Sequence, residues 1–248
     1  MKLFILLISF IFVSGAFANP EKKPKKKVRY KTSFGFCPSR SAGALALRLM
    51  KTFEETRSLV DLKRQIIDEK LQDKYFLNTY NVNFDPITNS VKFKFDCPKP
   101  LMKVQVYRDS GAESYEAILV QNGKLYDPTY EMLLKEEKKV KEDLPALAMP
   151  VEQLNEKRQY ELSDLIETLD QSLLAKFSEV ILDKEGSLTM ILSLKGRPSS
   201  VFLGSSSWSE KITKLQKIVS YMESKNKIPA VINLINSKKV VVKFSDTI

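Results

Sequence analysis

The sequence predicts an α+β fold in which a small module of one strand, two helices and a β-hairpin precedes a larger, mostly antiparallel β domain with two helices. Three observations support this prediction. Apolar residues recur at helical spacing between residues 39 and 71, alternate with polar residues between 80 and 95, and alternate again beyond residue 179. We place the small module at residues 30–100 and the larger domain at residues 101–248.

The small module begins with a predicted strand at residues 30–36. Ser39 or Ser41 then offers a cap for a helix whose apolar side is formed by Ala42, Leu45, Leu49, Met50 and Phe53. A second amphipathic helix is predicted for residues 59–71. The period-two pattern that follows predicts a hairpin around the turn at residues 85–89. Because the hairpin has one apolar face, we expect the two helices to cover it.

The larger domain is predicted to contain strands at residues 104–107, 117–120, 179–182, 188–194, 199–203, 231–235 and 240–244. The charged stretch 132–143 predicts an exposed helix or arm, and the apolar stripe of residues 159–177 predicts a long helix. Ser207 and Glu210 have the spacing of a capping box, which predicts a helix start with Trp208 stapled against Ile212. The last strand is followed by four residues, so we expect it to lack a covering element.

The first 18 residues have the order of a secretory signal: a basic end at Lys2, an apolar run over residues 3–13, and the small-residue pattern Ala16-Phe17-Ala18. The run is shorter than the roughly 20 residues that a spanning helix needs, and it serves as a short membrane anchor if it is not cleaved. The protein is therefore expected in the periplasm, either secreted or attached to the inner membrane.

The net charge of +10 is concentrated near the start of the chain, where residues 19–29 form a basic linker with six cations and one anion. Nucleic-acid binding is not predicted, since that function needs cations on one face of a fold. Two interpretations remain open: a solvated linker, or contact with anionic lipid headgroups. The cations are Lys22, Lys23, Lys25, Lys26, Lys27 and Arg29.

The two cysteines, Cys37 and Cys97, predict a structural disulfide, because an even number of cysteines in an oxidising compartment favours pairing. A metal site is not predicted, since zinc prefers about four nitrogen or sulfur ligands and the chain has no histidine. The lack of a Cys-x-x-Cys sequence also argues against a redox enzyme.

Catalysis is not predicted either. The commonest general base is missing, and no glycine-rich phosphate loop or nucleophile motif lies between a predicted strand and a helix. The run Ser205-Ser206-Ser207 is typical of a loop before a helix. We therefore expect a non-enzymatic protein that needs no cofactor.

Several local patterns between residues 78 and 244 resemble the FtsQ/DivIB family of cell-division proteins, in which a POTRA module precedes a β domain. The hairpin at residues 85–95 and the segments ILVQNGKLYDP (118–128) and LPAL (144–147) are similar to family segments. The most specific similarity lies in VFLG (201–204), Glu210-Lys211-Ile212 with Leu215, and PAVINL (229–234). Two positions depart from the family pattern, since Asn233 and Ile235 replace its usual aspartate and arginine.

This resemblance implies a POTRA-like small module and a non-enzymatic scaffold of the divisome that helps septum assembly. It also implies partners among small single-span division proteins of the FtsB and FtsL kind. Physical reasoning suggests how they bind, because an uncovered edge strand offers free backbone groups to a partner strand. We therefore predict partner binding at the carboxy-terminal edge, through Lys238, Lys239, Val240, Val241, Val242, Lys243 and Phe244.

Two alternatives remain open at this point. The last strand is equally consistent with a core-facing element, which alone explains the apolar side chains of Val240, Val242 and Phe244. The protein is also consistent with a POTRA-like periplasmic chaperone or transport component that binds segments of outer-membrane proteins.

Overall fold

The computed structural model describes residues 27–108, 114–236 and 238–244. The predicted leader, residues 1–18, and four lysines of the basic linker lie outside these residues. The fold is α+β, as predicted, with a small strand-and-helix module followed by a larger domain that is mostly sheet.

The small module contains a three-stranded sheet in the order β1-β3-β2, in which β1 runs parallel to β3 and β2 pairs with it antiparallel. A short third helix, absent from the sequence prediction, follows the two predicted helices. The elements are β1 (Arg29–Ser33), α1 (Ser39–Thr56), α2 (Leu59–Asp68), α3 (Leu71–Lys74), β2 (Thr79–Asp85) and β3 (Ser90–Asp96).

The first two helices pack against the small sheet through the apolar stripe that the sequence shows. In α1, Leu45, Leu49 and Phe53 are almost fully buried. The helix ends because Arg57 adopts a left-handed conformation (φ 56°), and the Ser58 side chain then accepts a hydrogen bond from the Asp61 N–H to cap α2. The predicted serine cap of α1 is wrong, since Pro38 occupies the cap position.

The larger domain contains a nine-stranded sheet in the order β12-β11-β10-β9-β8-β7-β4-β5-β6. Its neighbouring pairs are antiparallel except β4–β7, β7–β8 and β10–β11. The strands are β4 (Pro100–Tyr107), β5 (Ser114–Val120), β6 (Leu125–Tyr126), β7 (Ala146–Pro150), β8 (Phe177–Leu182), β9 (Leu188–Leu194), β10 (Arg197–Gly204), β11 (Pro229–Asn233) and β12 (Val241–Phe244).

The described part of this domain also contains the α-helices α4 (Thr129–Glu136), α5 (Glu156–Glu167), α6 (Gln171–Leu174) and α7 (Trp208–Ser224). The predicted helix over residues 159–177 is therefore divided in two. The Asp170 side chain accepts a hydrogen bond from the Leu173 N–H and caps a new short helix, and Phe177 already belongs to β8. The apolar stripe continues across the break because both helices pack on the same core.

One local prediction holds in part and another is wrong. The charged stretch 132–143 is helical only up to Glu136, where α4 ends; Leu134 within it is fully buried, whereas Glu136, Lys138 and residues 141–143 are exposed. Ser207 occupies the position before α7, but its side chain makes no capping hydrogen bond there, and its backbone is left-handed (φ 58°) rather than extended. Trp208 is buried instead, and its Nε1–H donates to the Gly204 carbonyl at 2.7 Å.

The core residues form two clusters, and the second cluster crosses between the two predicted domains. The first lies under α5 and α7 on the large sheet. The second joins the small module to Ile118, Val120, Tyr126, Tyr130 and Leu134 of the larger domain. The two parts of the chain are therefore packed together rather than linked only by the segment around Pro98.

Candidate functional site

The last strand, β12, forms one outer edge of the nine-stranded sheet. It pairs antiparallel with β11, with Ile232 opposite Val242 and Asn233 opposite Val241. Within residues 27–108, 114–236 and 238–244, no other element pairs with it. Because an edge strand turns half of its backbone N–H and C=O groups away from the sheet, this border has the geometry that strand addition requires.

The side chains of this edge are exposed, which contradicts the core-facing alternative. The exposed fractions of Val240, Val241 and Phe244 are 40%, 38% and 46%, and Val242 is half-buried. Three apolar side chains are thus accessible beside unpaired backbone. A partner strand placed here would cover apolar surface as well as complete the backbone ladder.

The three lysines predicted for this site are all exposed in the structure, Lys238 and Lys239 before β12 and Lys243 within it. The segment before β12 is held by Asn236, whose side chain accepts a hydrogen bond from the Lys238 N–H at 2.8 Å. Of the seven residues predicted from the sequence, Val241, Val242, Lys243 and Phe244 therefore lie in the edge strand, and the other three lie directly before it.

A basic groove that the sequence did not predict adjoins the end of β12. It encloses about 520 Å³ beside Phe244, and every charged residue that lines it is a cation: Lys195, Arg197 and Lys227. The Lys227 Nζ lies 5.9 Å from the centre of the Phe244 ring. These cations extend the positive charge of the edge around its end.

The sequence contained only an indirect signal for this groove, the turn Lys195-Gly196-Arg197 between two strands. The turn meets β12 because β10 runs parallel to β11, so the beginnings of both strands lie at one end of the sheet. Phe244 reaches the same end because it pairs opposite Pro229. The chain order therefore did not reveal that the turn and the last strand are neighbours.

The opposite edge of the large sheet is less suitable for strand addition. It is formed by β6, which has only two residues, Leu125 and Tyr126. Short edge strands are a common way of preventing pairing. Of these two edges, β12 is therefore the longer and the more accessible.

Burial changes the pKa of three packed side chains, Tyr126, Tyr130 and Lys211. Burial, with a smaller effect from Asp73, raises the pKa of Tyr126 to about 12, and burial also raises the pKa of Tyr130. Burial lowers the pKa of Lys211. No group of three or more metal-ligating side chains occurs in the part of the chain that the structure describes.

The two cysteines are joined by a disulfide, with Cα atoms 4.8 Å apart and both side chains buried. Cys37 precedes α1 and Cys97 follows β3, so the bond holds the start of the helix against the end of the sheet. The same segment contacts the larger domain, because the Lys139 Nζ donates to the Cys37 carbonyl.

Glu137, from the larger domain, caps α1 of the small module. Its carboxylate accepts hydrogen bonds from the Ser39 N–H at 2.7 Å and the Arg40 N–H at 3.0 Å. Burial alone raises the pKa of Glu137, but these hydrogen bonds and the charge of Lys139 outweigh it and lower the pKa below the ordinary value. Glu137 therefore stabilises the junction in its ionised form.

We expect Glu137→Gln to lower the free energy of unfolding by about 1 kcal/mol at neutral pH, the usual contribution of a helix cap. Since the folded pKa lies below the unfolded one, the contribution is complete above pH 4.5 and is lost as pH falls through the folded value. Denaturant unfolding between pH 7 and 3 measures the effect. Glu136→Gln, at an exposed neighbouring position, is the control, and equal losses in both variants would contradict the capping role.

Only two cations of the basic linker lie within the described residues, Lys27 and Arg29, and both are exposed. Lys22, Lys23, Lys25 and Lys26 lie outside them. Among the described helices, none is both long and apolar enough to cross a membrane.

Comparison with known proteins identifies the larger domain. The family model for the carboxy-terminal region of the cell division protein FtsQ/DivIB matches residues 111–235, half of the chain. The chain belongs to the FtsQ/DivIB family. A search of curated proteins found no match. Membership in FtsQ/DivIB indicates a role in cell division, and this family consists of non-enzymatic division proteins that work in complexes with other division proteins.

Three positions of the FtsQ/DivIB resemblance have visible structural contacts. Lys211 is buried, and its Nζ donates to the Leu203 carbonyl at 2.6 Å, which ties α7 to β10. Asn233, in place of the usual aspartate, accepts a hydrogen bond from the Ile235 N–H at 3.0 Å and so shapes the turn after β11. Ile235 packs against Gly204, at the end of β10.

Proposed function

We propose that this FtsQ/DivIB protein is a non-enzymatic periplasmic scaffold of the divisome that binds a partner segment by strand addition at β12. The observation that carries the proposal is the exposed edge strand, whose apolar side chains and outward backbone groups are accessible together. In this mechanism, the backbone ladder supplies affinity and the flanking side chains supply selectivity.

The charge around the edge supports an acidic partner. Lys243 lies in β12, and Lys238 and Lys239 lie just before it. The basic groove adjoins the other end of the strand, at Phe244. Attraction between opposite charges increases the association rate, and repulsion between like charges disfavours unsuitable partners. A short acidic strand from a small single-span division protein, of the FtsB or FtsL kind, has the required chemistry.

The small module supports a POTRA-like assignment by its order of strand, helices and hairpin. The predicted leader at residues 1–18 supports delivery to the periplasm, as a secreted protein or attached to the inner membrane. We propose that this arrangement places the edge strand where single-span partners expose their periplasmic segments and where septum assembly occurs.

Photocrosslinking in dividing cells tests the proposal. A photoreactive amino acid at position 241 should form adducts with a small single-span division protein, whereas the same probe at Tyr221, exposed on α7, should not. A fluorescent fusion of the full chain should collect at midcell. A uniform envelope signal, with adducts to outer-membrane proteins, would instead support the chaperone alternative and contradict the divisome role.

A further inference from the structure

The turn between β2 and β3 presents an apolar side chain directly to solvent. Ile87 is 95% exposed, the largest fraction among the large apolar side chains in the described ranges. The turn is also ordered, because the Asp85 carboxylate accepts hydrogen bonds from the Ile87 N–H at 3.0 Å and the Thr88 N–H at 3.3 Å. Ile87 is therefore held outward by a fixed backbone.

A second exposed apolar side chain lies at the same end of the small module. Helix α1 runs the length of the small sheet. At its start, Cys37 is bonded to Cys97, which follows β3, and near its end the ring of Phe53 lies 5.1 Å, centre to centre, from the ring of Phe84 in β2. The junction between α1 and α2 thus lies beside the β2–β3 turn. Val60, at the start of α2, is 65% exposed.

The basic linker joins the fold at this same end. The Arg29 N–H donates to the Asn89 carbonyl at 3.1 Å, and the Asn89 side-chain amide donates to the Lys27 carbonyl at 3.2 Å. Lys27 and Arg29 are exposed there, and four more lysines precede them in sequence. Exposed apolar groups and two described cations, Lys27 and Arg29, therefore share one end of the module.

The acidic groups nearby do not cancel this charge. The pKa of Asp85 is lowered by hydrogen bonds from Thr88, so its carboxylate is ionised at neutral pH, and the Lys92 Nζ lies 3.9 Å from it. Glu54 and Glu55 lie at the end of α1, and Asp61, next to Val60, pairs with Arg64 at 3.6 Å. In sequence, residues 19–29 carry six cations and one anion, so the segment that joins the fold at Lys27 is strongly basic.

We propose that the turn face, defined as Lys27, Arg29, Val60 and Ile87, docks on an anionic lipid bilayer, with Ile87 entering the boundary between headgroups and acyl chains. An apolar tip surrounded by cations is the pattern that binds such interfaces. A bilayer is favoured over a protein because the apolar run over residues 3–13 lies only a short linker away. Residues 19–27 extend at most about 30 Å. The inference rests on the proposed envelope location and not on strand addition.

Fluorescence quenching tests the contact. The full chain with Ile87→Trp is expressed, and the protein is purified in the form that the cell produces. It is then mixed with vesicles of brominated lipid. The only native tryptophan, Trp208, is buried and gives a constant background. We expect quenching at position 87 in phosphatidylglycerol-containing vesicles and much less in neutral phosphatidylcholine. Tyr221→Trp, at an exposed position of α7, should show none.

Vesicle partitioning gives a second measurement. Lys27→Gln with Arg29→Gln should weaken partitioning into anionic vesicles by about 25-fold at low salt, since each cation near such a surface contributes about fivefold. Ile87→Ser should weaken it further, whereas Ile67→Ser, the same change at an exposed position near the end of α2, should not. All these side chains are exposed, so the melting temperature should stay unchanged.

The inference would be overturned by equal quenching in neutral and anionic vesicles, by quenching at Tyr221→Trp equal to that at position 87, or by unchanged partitioning of the Lys27 and Arg29 variant. Deletion of residues 240–248 should leave the vesicle results intact. A failure of strand addition is thereby distinguishable from a failure of lipid docking.

Discussion

Val241→Asp should weaken partner binding by about 30-fold or more, the effect expected when a central interface residue is lost. Val241 is 38% exposed and lies in the strand whose outer border pairs with no element of the described residues. An aspartate there would disfavour the extended strand and introduce a charge that a docked partner would have to desolvate. The negative charge of the aspartate would also repel the acidic partner that the surrounding lysines attract. The amount of division protein retained after crosslinking in dividing cells measures the effect.

Two variants separate binding from folding. Val241→Thr keeps the branched shape and the strand preference, so it should retain most of the binding. Ile67→Asp places the same charge on an exposed position of α2 and should have no effect. Deletion of residues 240–248 should abolish binding while the first core cluster stays intact, because residues 240–244, the described part of this segment, lie outside it. A folded Val241→Asp protein that binds normally would refute docking at this edge.

Cys37→Ala combined with Cys97→Ala should lower the free energy of unfolding by about 4 kcal/mol. The disulfide spans 60 residues, and closing a loop of that length restricts the unfolded chain to this extent in the chain-entropy model. For a chain of this size the melting temperature should fall by roughly 10 °C. Calorimetry of the oxidised protein and of the double variant measures both quantities.

The loss of stability should be largest at the junction of the two modules. The segment held by the disulfide also accepts a hydrogen bond from Lys139 and donates two to Glu137. Hydrogen exchange at the Ser39 and Arg40 amides should therefore accelerate in the double variant. Titration of two free thiols in the native oxidised protein, or an unchanged melting temperature in the double variant, would contradict the prediction.

Elements with a strong apolar period were predicted well from the sequence. Helices α1, α2 and α7 and strands β2, β3, β9 and β10 lie where the spacing of apolar residues placed them. The predictions failed where a long-range contact decides the structure. Strand β7 forms between β4 and β8 although residues 146–150 have a weak pattern, because both neighbours supply backbone partners. Likewise, α4 is anchored by Tyr130, which enters a core built by the small module.

The candidate site was predicted only in part for the same reason. The seven residues of the carboxy-terminal edge are consecutive in sequence, at positions 238–244, and a strand pattern was enough to group them. Lys195, Arg197 and Lys227 were missed because they come from two separate turns. The capping role of Glu137 was missed as well, since its hydrogen bonds join residues almost 100 positions apart.

The sequence by itself determined the fold class, the identity of the carboxy-terminal strand and the resemblance to FtsQ/DivIB, because these depend on local spacing and on short motifs. Only the tertiary structure decided the order of the strands in the sheet, which cations surround the carboxy-terminal edge and how the two modules are held together. Strand order and domain contacts arise from pairing between distant segments, and the free energy of that pairing is not contained in any local pattern.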